Sequence, residues 1–264
     1  MSAPWKIKTP NGERELKLKI IKADPKSKFL VVTPLYEGHK LSHDTKTTIK
    51  RNNYPFTWIL AEGRNNIPTN TFGGIEWYLH KKGKVPDFYI MIDRDVRLGR
   101  NMLDRLYDKL SKAPLNIAYS YASFKFVGAI NRDFPATQWD INKLLLHNYI
   151  SSNSMFRTNA LYEVGLVMDD RYKRLLDWAY LLKLFLERGY MGIPCPEANF
   201  EAIASPDSIS SGSAEEYNQK RINIIDDFCK PIIQKYAHMQ EARQKAIEKQ
   251  KMQPQHQETT TVDF

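Results

Sequence analysis

The sequence has few cysteines, no long apolar segment and no apolar leader. Its two cysteines, Cys195 and Cys229, form neither a disulfide framework nor a four-ligand zinc set, which is typical of a reducing compartment. No stretch of 18 consecutive apolar residues occurs, and residues 1–8 lack the apolar core of a secretion signal. These absences predict a cytoplasmic protein without a transmembrane segment, and they leave peripheral membrane association open.

The glycine-rich and nucleophile motifs of several large enzyme classes are also missing. No Gly-x-x-x-x-Gly-Lys-Ser/Thr, Gly-x-Gly-x-x-Gly or Gly-x-Ser-x-Gly occurs, so the sequence offers no P-loop, dinucleotide site or serine-hydrolase elbow. His39 and His43 have the spacing of a zinc-protease helix, but Lys40 stands where that motif needs glutamate. The chemistry must therefore come from other residues.

The charge is strongly positive, at +9 with a pI near 9.3. Much of the excess lies towards the two ends of the chain, where runs of like charge commonly form solvated faces. Such a charge favours an anionic partner, but it does not distinguish nucleic acid, anionic lipid and phosphorylated small molecules. A hydrophobic content of 42% is enough for one sizeable core.

The first ninety residues alternate between apolar runs and helical patterns. Residues 5–21 predict a hairpin, because Pro10-Asn11-Gly12 is strong turn chemistry and residues 16–20 alternate with a period of two. The elements predicted next are a strand at 29–33, a helix at 41–50, a strand at 56–60, a polar loop at 62–70, a helix at 74–82 before Gly83, and a strand at 88–92. This alternation predicts an α/β fold with a mixed, mainly parallel central sheet and helices on both faces.

The later residues predict more helix than strand. Thr158 is expected to cap the helix at 159–164, while Gly165 and Gly189 are expected to end two helices. The predicted elements are a helix at 102–110, a strand at 117–121, helices at 139–146, 159–164 and 177–188, a serine-rich loop at 199–213, a long C-terminal helix at 215–249 and a disordered tail at 250–264.

Two carboxylates, Asp93 and Asp95, follow directly on the apolar run at 88–92. In open α/β sheets, ligands collect outside the carboxyl ends of the strands. Two hard oxygen donors at that place can hold Mg²⁺ or Mn²⁺ against phosphate groups. The pair therefore predicts a metal site for a phosphorylated substrate, whereas a solvated turn after a strand is the alternative.

Five motifs in order resemble those of the nucleotide-sugar-dependent glycosyltransferases with the GT-A fold, most of all the inverting group called family 2. The resemblance covers roughly residues 29–210. The motifs are Thr33-Pro34-Leu35-Tyr36, Glu62 after Trp58-Ile59-Leu60-Ala61, Asp93-Arg94-Asp95, Asn153-Ser154-Met155-Phe156-Arg157 with Val164-Gly165, and Asp177 opening a helix that closes on Arg188-Gly189-Tyr190. The chain departs from the family where Leu176 replaces one carboxylate of an acidic pair and where Ala61-Glu62 replaces paired aspartates.

The resemblance implies a GT-A-like (Rossmann-like) fold and a metal-dependent, inverting transfer of a sugar from a nucleotide-diphosphate sugar to a hydroxyl acceptor. Asp177 would be the catalytic base, and Asp93 and Asp95 would bind Mn²⁺ or Mg²⁺. The residues that would bind nucleotide or substrate are Thr33, Pro34, Tyr36, Glu62, Arg64, Asp93, Arg94, Trp178 and Ser208. The acceptor would be a glycan, a lipid-linked sugar or a polysaccharide.

The domain organisation expected from these features has four parts. Residues 1–28 would be a hairpin extension, and residues 29–214 the GT-A-like catalytic domain. That domain would have a donor half at about 29–122 and an acceptor half at about 123–214. A C-terminal helix (215–249) and a tail (250–264) would follow.

Several residues have ordinary structural explanations. Asp177 suits the N-cap of its helix, and Trp178 suits core packing. Arg94 and Arg97 are either phosphate partners or surface charge. The function also has alternatives: a transferase acting on modified DNA bases would use the positive charge, and a non-catalytic sugar-nucleotide or glycan-binding module would explain the lost carboxylate at Leu176.

Overall fold

The structure, a computed structural model, describes residues 4–10, 12–129, 131–172, 174–204 and 214–235. The strands are β1 (Trp5–Thr9), β2 (Gly12–Lys22), β3 (Phe29–Tyr36), β4 (Phe56–Gly63), β5 (Phe88–Met91), β6 (Val96–Leu98), β7 (Ile117–Gly128), β8 (Arg132–Phe134), β9 (Met155–Arg157) and β10 (Met191–Ala204). The helices are α1 (His43–Ile49), α2 (Ile67–Lys82), α3 (Met102–Ser111), α4 (Ile141–Leu146), α5 (Thr158–Val164), α6 (Leu176–Arg188) and α7 (Ala214–Ile224). A π-helical turn (Ile225–Cys229) continues α7.

One mixed sheet of ten strands contains all of these strands. Its order is β1-β2-β4-β3-β5-β9-β7-β10-β6, and β8 pairs with β7. β4, β3 and β5 are parallel, while β9 is antiparallel to both β5 and β7. Because β10 is parallel to β7, five of the seven strands from β4 to β6 point the same way. The predicted mixed, mainly parallel sheet is confirmed.

Each face of the sheet carries its own buried cluster. One cluster holds Ile75 of α2, Leu161 of α5 and Leu181 of α6. The other holds Ile49 of α1 and Leu106 of α3. Helices therefore cover both faces, as the strand–helix alternation predicts.

The predicted N-terminal hairpin forms and extends the sheet. β2 pairs antiparallel with β4, and Leu16 is only 1% exposed. Leu16 lies against Gly73 of α2, where an added Cβ would come within 2.0 Å of the Leu16 Cδ1 atom. The hairpin is thus packed on both the sheet edge and a helix.

The polar loop predicted at 62–70 is wrong at its end, because α2 begins at Ile67. The Asn66 side chain accepts the Thr69 N–H at 2.9 Å, and a proline, Pro68, lies in the first turn. Asparagine at the N-cap followed by proline is a strong helix start. That signal was present in the sequence, outside the predicted helix.

The serine-rich loop predicted from residue 199 is also wrong in part, because residues 199–204 belong to β10. This strand carries Pro194 and Pro196, and its register shifts between Cys195 and Asn199. Prolines are uncommon inside strands and are tolerated at bulges, so they hide this strand in the sequence. Residues 205–213 lie outside the described residues.

The helix ends agree with the glycine signals but not with the predicted threonine cap. Gly189 has φ 68° and ends α6, and Gly165 follows α5. Thr158 lies inside the first turn of α5, where its hydroxyl donates to the Pro86 carbonyl at 2.7 Å, and Arg157 occupies the N-cap position.

The C-terminal helix continues through residue 235, and the later part of the predicted 215–249 helix, like the tail at 250–264, lies outside the described residues. Across the described ranges, the helices include none with the length and apolar content needed to span a bilayer.

Candidate functional site

Asp93 lies just beyond the carboxyl end of β5, at the centre of the sheet. Its backbone N–H donates to Asn153 Oδ1 at 2.9 Å, and Asn153 Nδ2 donates to Asp93 Oδ2 at 2.8 Å. Asn153 itself is 2% exposed. Two bonds from a buried amide therefore hold both the backbone and the carboxylate of Asp93.

Burial and neighbouring negative charge act together on Asp93. Burial raises its pKa to about 6, with smaller contributions from the charges of Asp95 and Asp177, while the Asn153 hydrogen bond opposes the rise. The fold thus brings Asp177 of α6 within electrostatic range of Asp93. A bound cation at Asp93 would favour its ionised form.

Helix α1 holds the loop that carries Asp95. The Thr45 hydroxyl lies 2.9 Å from the Arg94 carbonyl and 2.7 Å from the Val96 carbonyl, and it accepts the Val96 N–H at 3.1 Å. The Asp95 carbonyl accepts the Ile203 N–H of β10 at 3.1 Å. The Asp95 side chain remains 42% exposed, so its carboxylate is accessible from solvent.

Of the two arginines near this loop, Arg97 is committed to other groups. It pairs with Asp44 at 2.7 Å and with Glu201 at 2.8 Å. Arg94 has weaker contacts, with Nε 4.0 Å from Asp95 and Nη1 3.5 Å from the Lys40 carbonyl. Arg94 is therefore the better placed of the two to reach a phosphate.

Asp177 lies in the first turn of α6 but not at its N-cap, because Leu175 occupies that position with φ 63°. The carboxylate accepts a hydrogen bond from Asn148 Nδ2 at 3.1 Å and from the backbone N–H groups of Asp177 and Trp178. Burial nevertheless raises the pKa of Asp177 above its ordinary value. A carboxylate with a raised pKa is a better proton acceptor than an exposed one.

The ends of β3 and β4 form the neighbouring part of the sheet edge. Tyr36 is 53% exposed, and its ring centroid lies 5.5 Å from that of His39. Glu62 pairs in register with Leu35 and accepts the Gly38 N–H at 3.2 Å. An open aromatic face and a carboxylate thus lie at adjacent strand ends, where a nucleoside would need them.

Arg64 follows β4 and lies on the surface. Its guanidinium pairs with Glu37, which also contacts Lys17 at 3.2 Å. Arg64 is 80% exposed, so its ion pair with Glu37 is solvated. Arg64 can therefore exchange Glu37 for another anion at a small cost in free energy.

Three of the predicted binding residues are buried in the core instead. Thr33 is fully buried and its hydroxyl accepts Trp58 Nε1 at 3.0 Å, and Pro34 is also buried. Trp178 is fully buried and donates its Nε1 to the Leu144 carbonyl at 2.6 Å. Trp178, predicted to bind nucleotide or substrate, is therefore a core residue, because its ring points away from the direction of its helix neighbour Asp177. Ser208 lies outside the described residues.

Three residues at the site were not predicted to have a role: Asn148, Asn153 and Tyr217. Asn153 lies in a segment that carries the family resemblance, but nothing in its neighbours indicates a contact with Asp93. The Tyr217 hydroxyl of α7 lies near the backbone N–H of Asn148, and the negative charge of Asp177 acts on it. These contacts join distant parts of the chain, and sequence periodicity carries no signal for them.

Asp93 and Asp95 are suitable ligands for a divalent cation. In the parts of the chain that the structure describes, no group of three or more His, Cys, Asp or Glu side chains forms a complete metal cage. Mg²⁺ normally takes one or two carboxylates together with substrate phosphates and water. The two-carboxylate set therefore fits a cation that arrives with a phosphorylated ligand.

Comparisons with known proteins support the fold. No family model matches the chain, and no curated protein matches its sequence. TarS 1–349 from S. aureus in complex with UDP-GlcNAc matches with a TM-score of 0.54 and 11% identity, over 75% of this chain and 65% of that chain. The UDP complex of the same protein matches with a TM-score of 0.50 and 12% identity, over 68% and 61%.

The chain thus spans less than two thirds of the length of these two structures. At such low identity the likeness shows a shared fold. The predicted GT-A-like α/β fold, and the resemblance to GT-A nucleotide-sugar glycosyltransferases at the level of the fold, are confirmed.

Proposed function

We propose that this protein is a metal-dependent glycosyltransferase that moves a sugar from a nucleotide-diphosphate sugar to a hydroxyl acceptor with inversion. The observation that carries the proposal is the arrangement of Asp93, Asp95 and Asp177 at one end of a GT-A-like sheet, where Asn153 and Asn148 of one short segment bond Asp93 and Asp177. Two carboxylates there suit a cation, and the third has the raised pKa of a base.

The donor half of the reaction is assigned to the strand ends. Asp93 and Asp95 would hold Mg²⁺ or Mn²⁺, which neutralises charge on a departing diphosphate. Arg94 would contact the diphosphate oxygens, while Tyr36 and Glu62 would receive the nucleoside. The complexes of TarS with UDP and UDP-GlcNAc support a nucleotide-sugar donor on this fold and make UDP-sugars the first to test.

The acceptor half is assigned to Asp177. Inverting transfer is a single displacement at the anomeric carbon, so one carboxylate must take the proton of the acceptor hydroxyl on the face opposite the diphosphate. Asp177 lies on a different element from the Asp93 pair and is buried enough to favour the protonated form once the proton has been accepted. We propose a glycan, lipid-linked or polysaccharide acceptor. We also propose a cytoplasmic location, because both cysteines are free and buried, and peripheral association with a membrane.

Three variants test the assignment with a panel of UDP-, GDP- and TDP-sugars, with and without Mn²⁺. Asp177→Ala should lower sugar transfer by about 10²-fold or more, because loss of a catalytic base costs about 10²–10⁴-fold. Asp95→Ala should lower it comparably, because it removes one of the two proposed cation ligands. Asp87→Asn is the matched control: Asp87 is an exposed aspartate at the opposite end of the same strand and should leave the rate unchanged.

Two results would count against the proposal. Retention of more than about a tenth of the wild-type rate in either alanine variant would reject the corresponding role. A wild-type protein that is stabilised by a nucleotide sugar and neither transfers nor hydrolyses it would be a binding module instead.

A further inference from the structure

A single connector between α4 and β9 contacts both sides of the candidate site. The connector, residues 147–154, bonds to Asp93 through Asn153 and to Asp177 through Asn148. The two asparagines are five positions apart in the chain.

The Asp93 end of the connector is rigid. Asn153 donates Nδ2 to Asp93 Oδ2 at 2.8 Å and also lies 3.2 Å from the Ser151 hydroxyl. Ser151 accepts the Asn153 N–H at 3.1 Å, and the Ser154 hydroxyl donates to the Ser151 carbonyl at 2.6 Å. Asn153 and Ser154 are both almost completely buried. The Asn153 amide therefore has a fixed position, and the Ser152 side chain of the same connector also acts on the Asp93 carboxylate.

The Asp177 end is held by packing and by α7. Tyr149 and Ile150 are buried, and the Tyr149 hydroxyl accepts the Asp140 N–H at 2.9 Å. Asn148 donates Nδ2 to Asp177 Oδ2 at 3.1 Å and accepts the Ile150 N–H with its Oδ1 at 3.4 Å, while the Tyr217 hydroxyl of α7 lies near its backbone N–H. Asn148 is thus fixed from two directions beside the carboxylate.

We propose that the 147–154 connector is a positioning bridge in which Asn153 orients Asp93 towards the cation and diphosphate, and Asn148 orients Asp177 towards the acceptor hydroxyl. The proposal rests on the function proposed above. It assigns different roles to two asparagines on one segment.

Asparagine suits this task better than a cation would. An arginine or lysine would hold a carboxylate equally well, but its charge would favour the ionised form strongly and make the carboxylate a weaker base. A neutral amide orients one carboxylate oxygen and leaves the full negative charge for the metal or the proton. Groups that orient metal ligands in this way commonly change metal affinity or activity by about 10–100-fold when removed.

The test compares Asn153→Ala and Asn148→Ala in the full chain, with Asn52→Ala as control. Asn52 is also buried, and its side chain bonds the Thr48 and Ile49 carbonyls at the C-terminal end of α1 and the Leu103 N–H, without a hydrogen bond to Asp93, Asp95 or Asp177. Calorimetry measures UDP binding with and without Mn²⁺. Kinetics measure kcat and the donor KM, and thermal unfolding reports the loss of stability in each variant.

The two variants should differ in what they lose. Asn153→Ala should weaken Mn²⁺-dependent UDP binding by about 10-fold or more and leave metal-free UDP binding unchanged. Asn148→Ala should leave UDP and Mn²⁺ binding within about twofold and lower kcat by about 10–100-fold at an unchanged donor KM. Asn52→Ala should lower the melting temperature and leave binding and kcat as in the wild type.

The connector proposal is overturned if the two site variants lose binding and kcat in parallel, or if they lose only stability as Asn52→Ala does. Either pattern would mean that the connector has only a structural role. The proposed function would still hold if the wild-type protein transferred sugar. A wild-type protein that binds no nucleotide with Mn²⁺ and transfers no sugar would overturn both.

Discussion

Asp93 and Asp177 illustrate how burial sets the chemistry of single residues in this fold. Both carboxylates accept hydrogen bonds, which alone would lower their pKa values, yet burial outweighs the bonds and raises the pKa of each. At Asp93 the charges of Asp95 and Asp177 add to the effect. Without a bound cation, the folded protein is therefore less stable with Asp93 ionised than with Asp93 protonated.

Asp93→Asn should stabilise the metal-free protein while abolishing transfer. A pKa of about 6 in the folded state, against 3.8 ordinarily, means that the folded state binds the proton more tightly. Stability therefore falls as the pH rises from about 4 to about 6, and the asparagine variant avoids this loss. At roughly 1.4 kcal/mol per pKa unit, the gain at pH 7.5 should be on the order of 1–3 kcal/mol.

Urea unfolding in EDTA at pH 7.5 and pH 4.5 measures this difference. The advantage of the variant should shrink at the lower pH, where Asp93 is protonated in the folded wild type. A variant that is less stable than the wild type at pH 7.5 would show that the Asp93 carboxylate is not destabilised by its surroundings.

At the level of elements, α1 supports the site although none of its side chains is assigned to a ligand. This helix is seven residues long, too short to be stable alone, and it is held by its buried side chains and its Ser42 cap. Thr45 and Thr48 turn their hydroxyls towards the chain at 94–98 and satisfy the N–H groups of Val96 and Leu98. The Asp95 loop therefore depends on α1 for its shape.

Thr45→Val should loosen the Asp95 loop without changing the volume of the buried side chain. The Val96 N–H would lose its acceptor, and a buried unsatisfied group costs about 1–3 kcal/mol. We expect a loss of unfolding free energy of that size and a roughly 10-fold weaker Mn²⁺-dependent binding of UDP, because about 1.4 kcal/mol corresponds to tenfold.

Urea unfolding and calorimetry measure the two effects. Thr47→Val is the matched control, since Thr47 is on the same helix and its hydroxyl contacts only the exposed His43 ring, at 3.3 Å. Equal effects of the two valine variants would argue against a specific role of Thr45.

For the whole molecule, the N-terminal hairpin is packed as part of the main sheet. β2 pairs with β4 over five residues, from Lys17 to Lys22, and Leu16 is buried against Gly73. Residues 1–28 were expected to be an extension of the catalytic domain, and that boundary remains a prediction. The packing suggests that the hairpin unfolds together with the rest of the protein.

Leu16→Ala should lower the free energy of unfolding by about 2–4 kcal/mol, because it leaves a cavity between the hairpin and α2. The unfolding should remain a single transition when followed by far-UV circular dichroism and by tryptophan fluorescence. Lys8→Ala, an exposed change on the same hairpin, should have almost no effect. Two separated transitions in the leucine variant would instead show that the hairpin is an independent unit.

The sequence predicted most of the central strands and both ends of several helices, because these depend on neighbouring residues. The apolar runs ahead of Asp93 and Glu62 form β5 and β4, and Gly83 and Gly189 end α2 and α6 in the left-handed conformation. The errors at α2 and β10 have local causes: the helix start at Asn66-Ile67-Pro68 lies outside the predicted helix, and prolines lie at a bulge in β10. Thr33 and Trp178 were predicted to bind ligand, but both side chains are buried in the core. Neither the periodicity of the sequence nor the family resemblance shows which way a side chain points.

Residue order along the chain was enough to place acidic side chains at the end of an apolar strand, since strand propensity and the position of a strand end are properties of a few adjacent residues. The meeting of Asp93 with Asn153, and of Asp177 with Asn148, was settled by how the elements pack. β9 runs in reverse between β5 and β7, and this insertion brings the connector to the site. Such contacts arise from the fit between faces of distant elements, and many pairings of those faces are compatible with one pattern of apolar residues.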